Sequence, residues 1–437
     1  MQEINLEQIQ KVHFIGIGGI GVSAIARYML REGREVSGSD ASDSELIHAL
    51  IDEGADISIG HKEEHIEDDV DLVVYTIALQ HDNPELAAAR EREIPTVSYP
   101  EMLGIISEEK YTIAISGTHG KTTTTAMLAK ILLDAGQHPT VVVGSLLDPS
   151  ITEGPQGGRT NFIHGESNLF VVEACEYRRS FLNISPDILV ITNIDLDHVD
   201  YYDDIEDVQS AFRELAESVP SDGYVICDTD DPRVIPILKN VTAQIIDYDD
   251  IEDSISLPIP GKHNVWNARA AVSAAQLLEI NRAKAVESLG DFRGTWRRAE
   301  KICSRNGYTV FDDYAHHPTE IQTSLRGFRE MYPDTYICVV FQPHLYSRTK
   351  EFLDDFAVSF EDVDEVVILP IYAAREMEDP SISSQDLKEM IAHKGGAVQY
   401  IEHFDEVVSY VEEQLPNESL VITMGAGDVY KIAHELC

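Results

Sequence analysis

The chain has 437 residues, with 33 Lys and Arg against 77 Asp and Glu, and a formal net charge of −44. So acidic a surface repels phosphate backbones and excludes a nucleic-acid partner, and no apolar run is long enough for insertion into a membrane. The opening MQEINLEQIQKVHFIG lacks the basic, apolar and cleavage segments of an export signal, and Cys175, Cys227, Cys303, Cys338 and Cys437 form no C-x-x-C pair, so a reduced cytoplasmic protein with incidental thiols is expected.

Residues 1–107 hold the strand patterns KVHFIGI, REVSGSD, DLVVYTIA and IPTVSYP, separated by helix-like runs. That rhythm predicts a parallel α/β sheet. After the first strand, Gly16, Gly18, Gly19 and Gly21 stand in the run GIGGIG, and Asp40 ends the next strand about twenty residues on. Read alone, the pattern is a dinucleotide fingerprint and implies an NAD-dependent oxidoreductase; the structural alternative is a tight turn before a packed helix.

Residues 108–294 form a second α/β unit with the strands YTIAISG, LFVVEA, DILVITNI and YVICD. Its loop SGTHGKTTT comprises Gly117, Thr118, His119, Gly120, Lys121, Thr122 and Thr123. Strand, glycine turn, lysine and hydroxyl in that order make a phosphate cradle: backbone N–H groups converge on an anion, and a helix N-terminus faces the charge. Lys121 reaches the outer phosphates and Thr122 offers a metal ligand. The turn-rich stretch DPSITEGPQGGRTNFIHGESN reads as an exposed loop.

Strand ends deliver Glu173, then Asn193, Asp195, Asp197 and His198, on the side of the sheet where the phosphate loop lies. Oxygen ligands with one imidazole suit Mg²⁺ beside ATP. In GKHNVWNA, Asn264 and Asn267 stand one turn apart, and either amide can read an adenine edge or cap the helix. Residues 295–437 form a third α/β unit with the strands YTVFDDYA, TYICVVFQP, VDEVVILPI and SLVITMG. There GAGD, residues 425–428, reads as a turn near the substrate, and His317 and His344 as core or hinge residues.

GTHGKTTT carries a resemblance that seven further stretches extend in order along the chain: HFIGIGGIGVSAIA, EACEYRRSFL, TNIDLDH, IPGKHNVWNA, DDYAHHPTEI, FQPHLYSRT and GAGDVY. They resemble the Mur ligases, the ATP-dependent amide-forming enzymes of peptidoglycan precursor synthesis. The resemblance implies three domains: a Rossmann-like UDP-binding unit, a central P-loop ATPase-like unit and a Rossmann-like C-terminal unit. It implies that Gly16 to Gly21, Asp40, Thr76 and Asn193 hold UDP-N-acetylmuramate. ATP falls to residues 117–123, Asn264, Asn267, Arg298 and the ribose-binding Asp313. Metal falls to Thr122, Glu173 and His198; catalysis to Lys121, His198 and Arg298; and the amino acid to Tyr314, His316 and Arg348.

Residues 199–238 contain no lysine, so the carbamylated lysine of several family members has no counterpart, as in the alanine-adding branch. Two positions depart from the family pattern: Ala299 where an aromatic is usual, and Leu345 where a second arginine is often found. The implied reaction joins L-alanine to the UDP-N-acetylmuramate carboxylate through an acyl phosphate, in a monomer or homodimer. The nearest rival is the ligase that adds a preformed tripeptide during wall recycling, against which FQPHLYSRT and YAARE speak. A catalytically silent binding module is a further rival, against which Lys121, Thr122, Glu173 and His198 speak.

Overall fold

A computed structural model describes residues 4–79, 82–151, 158–251, 255–305, 307–374 and 376–437. Residues 152–157 of the turn-rich loop and Arg375 of YAARE lie outside the described residues.

Three sheets follow one another along the chain. The first has strands β1 (Lys11–Ile15), β2 (Glu35–Asp40), β3 (Asp56–Ile59), β4 (Leu72–Tyr75) and β5 (Thr96–Ser98), all parallel in the order β3-β2-β1-β4-β5. The strand order reverses between β1 and β4, and the loop Gly16–Gly19 leaves β1 at that point, where an open α/β sheet forms its ligand crevice.

The second sheet comprises β6 (Tyr111–Ser116), β7 (Thr140–Leu147), β8 (Thr160–Ile163), β9 (Leu169–Glu173), β10 (Ile188–Ile191), β11 (Tyr224–Cys227) and β12 (Gln244–Asp247). Its order is β12-β11-β10-β6-β9-β7-β8. Only β8 runs antiparallel. It lies inside the stretch expected to be an exposed loop, and Asn161 and Phe162 in it are buried. Four residues among turn formers are too few to show a period, so the strand was invisible in the pattern. Strand β6 is buried over Thr112–Ser116, as befits a strand covered by helices on both faces.

The third sheet comprises β13 (Glu300–Arg305), β14 (Tyr308–Asp313), β15 (Ile337–Phe341), β16 (Glu365–Ile368), β17 (Val398–Tyr400) and β18 (Ser419–Met424), in the order β13-β14-β18-β15-β16-β17. The polar edge strand β13 pairs antiparallel with β14. Cys303 on β13 and Cys437 form a disulfide with Cα atoms 6.0 Å apart. This corrects the expectation of five incidental thiols: 134 residues separate the pair, so no local spacing announces it.

Apolar packing distributes the three units unequally. One continuous core takes residues from both the first and second sheets, from Val12 and Phe14 to Phe170 and Phe212. The two clusters of the third unit, around Phe328 and Phe341 and around Val340 and Val421, contain no residue of the others. A polar joint reinforces the first pair: Asn161 Nδ2 donates to Ser23 Oγ at 2.8 Å, and Arg27 bonds Asn161 and Glu53. Among the described residues no helix is long and apolar enough to cross a membrane.

Candidate active site

The first glycine loop is built for close approach. Gly16 has φ +78°, and a Cβ there would lie 2.5 Å from Thr76 Cγ2; one at Gly21 would lie 2.5 Å from the Tyr99 ring. The Ser39 carbonyl accepts N–H bonds from Gly16 and Ile17 at 2.8 and 3.0 Å. Asp40 Oδ2 accepts the Gly18 N–H at 2.9 Å. Beneath the loop, Ser39 Oγ bonds the buried carboxylate of Glu85, which also takes His65 Nδ1 at 2.6 Å and the Lys62 N–H at 3.1 Å. Burial opposes the charge of Glu85, yet hydrogen bonds from His13, Ser39 and His65 hold its pKa down at about 2.

The second loop leaves β6 through Gly117 and Gly120, with φ of +131° and +83°. A Cβ at Gly117 would fall 2.0 Å from Thr192 Oγ1, and one at Gly120 would fall 2.3 Å from Asn267 Oδ1. Only glycine fits either position. Gly120 caps the helix Lys121–Asp134 without any side-chain cap, leaving the first N–H groups of that helix to face an anion. Lys121 Nζ donates to the Thr118 carbonyl at 2.9 Å and lies 2.8 Å from Glu176 Oε2. Burial works against the lysine's charge, but Glu176 and nearby carboxylates keep its pKa above the ordinary value.

Thr122 Oγ1 donates to Glu173 Oε1 at 2.9 Å, and Glu173 Oε2 accepts the Gly144 N–H at 2.7 Å. His198 sits at φ +53°, with its Nε2 3.4 Å from Glu176 Oε1 and its buried Nδ1 without a hydrogen-bond partner. With Nε2 turned toward the carboxylate, Nδ1 is the ring nitrogen open to a cation. Thr122 and Glu173 offer hydroxyl and carboxylate oxygens and His198 an imidazole nitrogen, donor types that fit a hard divalent ion, while the ligand atoms of His198, Glu176 and Cys175 all lie within 4.8 Å of one another.

A cavity of about 290 Å³ opens between the second and third units, lined by His119, Asn193, Asn267, Trp266, Arg298 and Asp313 among others. Asn193, which the resemblance gives to the sugar nucleotide, lines this cavity, accepts the His119 N–H at 3.0 Å and donates to the His119 carbonyl at 2.9 Å. It is a brace for the phosphate loop. Asn264 Nδ2 donates to the Pro260 carbonyl at 2.6 Å, and its Oδ1 receives Asn267 Nδ2 at 3.3 Å. Asp313 accepts bonds from the Ala299 and Ala315 N–H groups and from Ser324 Oγ, while burial, opposed by Arg298, pushes its pKa up.

Charged groups close the seam between these units. His119 lies 3.4 Å from Asp195 Oδ2 and 3.2 Å from Glu320 Oε1. Burial disfavours its charge, but the two carboxylates raise its pKa to about 9. Thr319 Oγ1 donates to Asp195 Oδ2 at 2.9 Å. Arg298 faces Glu320 Oε1 at 3.6 Å, whereas Arg297 is structural: it bonds Asp312 Oδ2 at 2.7 Å and the Gly425 and Gly427 carbonyls. GAGD is a turn in the third unit, as expected, and Arg297 ties it to the core there.

Tyr314 packs edge-on against His316 at 5.4 Å between ring centroids, His316 against His344 at 5.9 Å, and His344 Nδ1 lies 3.1 Å from Arg348 Nη1. Burial lowers the pKa of His316 to about 4, so it is neutral at neutral pH. Arg348 is 3% exposed and its fork is taken: Nη2 and Nε donate to Asp197 Oδ1 at 2.8 and 3.2 Å. Leu345, at φ +71°, is 2% exposed and donates its N–H to the Tyr372 carbonyl at 3.0 Å. It is therefore a packed backbone joint, as is Ala299 at φ +49°. Two carboxylates central to this geometry, Glu176 and Glu320, were missed in the sequence. Each lies three or four residues beyond a marked one, Glu173 and His316, and that spacing was the available signal.

The chain matches the Mur ligase family, catalytic domain, over residues 11–111, the Mur ligase middle domain over 115–254, and the Mur ligase, glutamate ligase domain over 297–427. It is 43% identical to a UDP-N-acetylmuramate–L-alanine ligase of Clostridium acetobutylicum, over 97% of this chain and 96% of that protein. It is 41% identical to a ligase of the same name from Caldanaerobacter subterraneus subsp. tengcongensis, over 99% and 98%. Among solved structures, the UDP-N-acetylmuramate-alanine ligase of Thermotoga maritima superposes with a TM-score of 0.79 at 26% identity, covering 98% of each chain. With its two glycine cradles, its seam of carboxylates and three matching domains in order, this chain belongs to the Mur ligase family.

Proposed function

We propose that this protein joins L-alanine to the carboxylate of UDP-N-acetylmuramate with ATP, in the synthesis of peptidoglycan precursors in the cytoplasm. The observation that carries the reading is its likeness, at 41–43% identity along nearly the whole chain, to relatives bearing that activity in their names. A carboxylate does not condense with an amine at neutral pH because oxide is too poor a leaving group. ATP solves this by transferring its γ-phosphoryl group to a carboxylate oxygen, releasing ADP. The neutral amine then attacks the acyl carbon, and phosphate leaves with the former carboxylate oxygen.

Each cradle supplies one reactant. The Gly16–Gly21 loop takes the diphosphate of the sugar nucleotide, and the 117–123 loop takes the triphosphate. Lys121 and Arg298 offset charge on the transferring phosphoryl, and orientation by the loops provides most of the acceleration. Thr122, Glu173 and His198 would hold Mg²⁺, which when bound neutralises phosphate oxygens. Arg348 receives the alanine carboxylate as a bidentate fork once Asp197 releases it. Closure of the third unit on the cavity excludes water from the acyl phosphate.

The test is ADP and phosphate release with UDP-N-acetylmuramate and a panel of acceptors. Turnover with L-alanine, and none with a preformed tripeptide as acceptor or with NAD(H) chemistry, is expected. Absence of ADP formation with every amino acid overturns the proposal.

A further inference from the structure

We infer that Trp266 is the stacking platform for the purine base of the nucleotide, an inference that rests on the ATP reading above. The chain has two tryptophans. Trp296 packs edge-on against Tyr430 with ring centroids 5.9 Å apart. Trp266 instead leaves half of its surface, 50%, in solvent, in the second turn of the helix Lys262–Leu277. No ring stacking or cation contact is found for it among the described residues, yet it lines the cavity that also holds the phosphate loop. Leaving an indole exposed forgoes a large apolar burial, so a ligand face that covers it gains that burial on binding.

Hydrogen bonding around the base site points the same way. Asn264 and Asn267 are 4% and 5% exposed, and their amides bond Pro260 and each other. Much of their capacity to read a base edge is already used. Base affinity must then come mainly from a π-face, and the cavity provides one at Trp266. Asn267, one residue on, lies against Gly120, so the platform and the phosphate loop meet at one helix end. A flat platform is tolerant of base edges, so adenine and other purines stack on it while smaller pyrimidines stack less well.

Two measurements on the full-length protein test this. In a Trp296→Phe background, where Trp266 is the remaining tryptophan, titration with ADP is expected to change the indole fluorescence saturably, and CDP to do so about tenfold more weakly. In steady-state turnover, W266A is expected to raise KM for ATP about tenfold and W266F less than threefold. KM for UDP-N-acetylmuramate should stay within twofold in both. ADP binding seen by calorimetry without a fluorescence response, or an unchanged KM for ATP in W266A, overturns the platform and leaves the ATP reading standing. No binding of ADP by calorimetry overturns both.

Discussion

Removing one negative charge, by Asp197→Asn, tests whether Arg348 is the anchor for the amino acid. Three donors converge on a single oxygen of Asp197: the His198 N–H at 2.7 Å, and Arg348 Nη2 and Nε at 2.8 and 3.2 Å. An asparagine with its carbonyl oxygen in that place keeps all three hydrogen bonds and deletes only the charge. Asp197 is 6% and Arg348 3% exposed; at an effective dielectric near 20, unit charges about 4 Å apart attract by about 4 kcal/mol. Burial disfavours the Asp197 carboxylate, but Arg348 foremost holds its pKa well below the usual range, so the pair is ionised at neutral pH. Breaking it leaves a buried guanidinium uncompensated, and a loss of about 3 kcal/mol in stability is expected.

A ligand carboxylate meets that unpaired guanidinium without first displacing an internal rival. KM for L-alanine should therefore fall about tenfold in D197N, equivalent to about 1.4 kcal/mol, with KM for ATP unchanged. L-alanine should also raise the unfolding temperature more in the variant than in the parent. Phosphate release at saturating ATP and UDP-N-acetylmuramate, with thermal unfolding with and without alanine, measures both. If stability drops as expected while KM for alanine stays the same or rises, Arg348 does not hold the amino acid and the reasoning fails.

Replacing Lys121 by alanine should lower kcat/KM about 10³-fold while UDP-N-acetylmuramate binding, by calorimetry, persists; retention of activity refutes the phosphate-loop assignment. His119 has a folded pKa of about 9 against an ordinary 6.5. Its stabilisation is thus complete below pH 6.5 and is lost as pH rises through 9, by at most about 3 kcal/mol. Urea unfolding at pH 6 to 10 reads this, and His119→Gln should flatten the profile. Glu85 has the opposite sign: its pKa of about 2 lies below the ordinary 4.5, so its contribution is present above pH 4.5 and disappears as pH falls toward 2. Reducing the Cys303–Cys437 bond, or Cys303→Ser, should cost about 2–4 kcal/mol, read as a lower unfolding temperature.

What the sequence disclosed was local. Gly117, Gly120 and Lys121 announce a phosphate loop because strand, turn and helix chemistry all act within nine residues. Strands such as β6 and β10 are legible because burial on both faces turns them into apolar runs. What it concealed is non-local: Asp197 meets Arg348 across 151 residues, and Asp195 meets Thr319 across 124. The bonds from Asn193 to the His119 backbone were hidden because a strand-end amide carries no mark of which backbone it will brace. Glu176 was overlooked because a carboxylate next to EAC looks like surface until the chain folds Lys121 against it.

The shared core of the first two units also bears on how the catalyst works as a machine. A seam filled with Phe and Val resists sliding, whereas one held by ions and hydroxyls parts readily. The first two units, to which we assign the sugar nucleotide and the triphosphate, are therefore expected to travel as one chassis, with the C-terminal lobe as a separate jaw. Heating should melt that jaw on its own schedule, giving a calorimetric trace with two peaks.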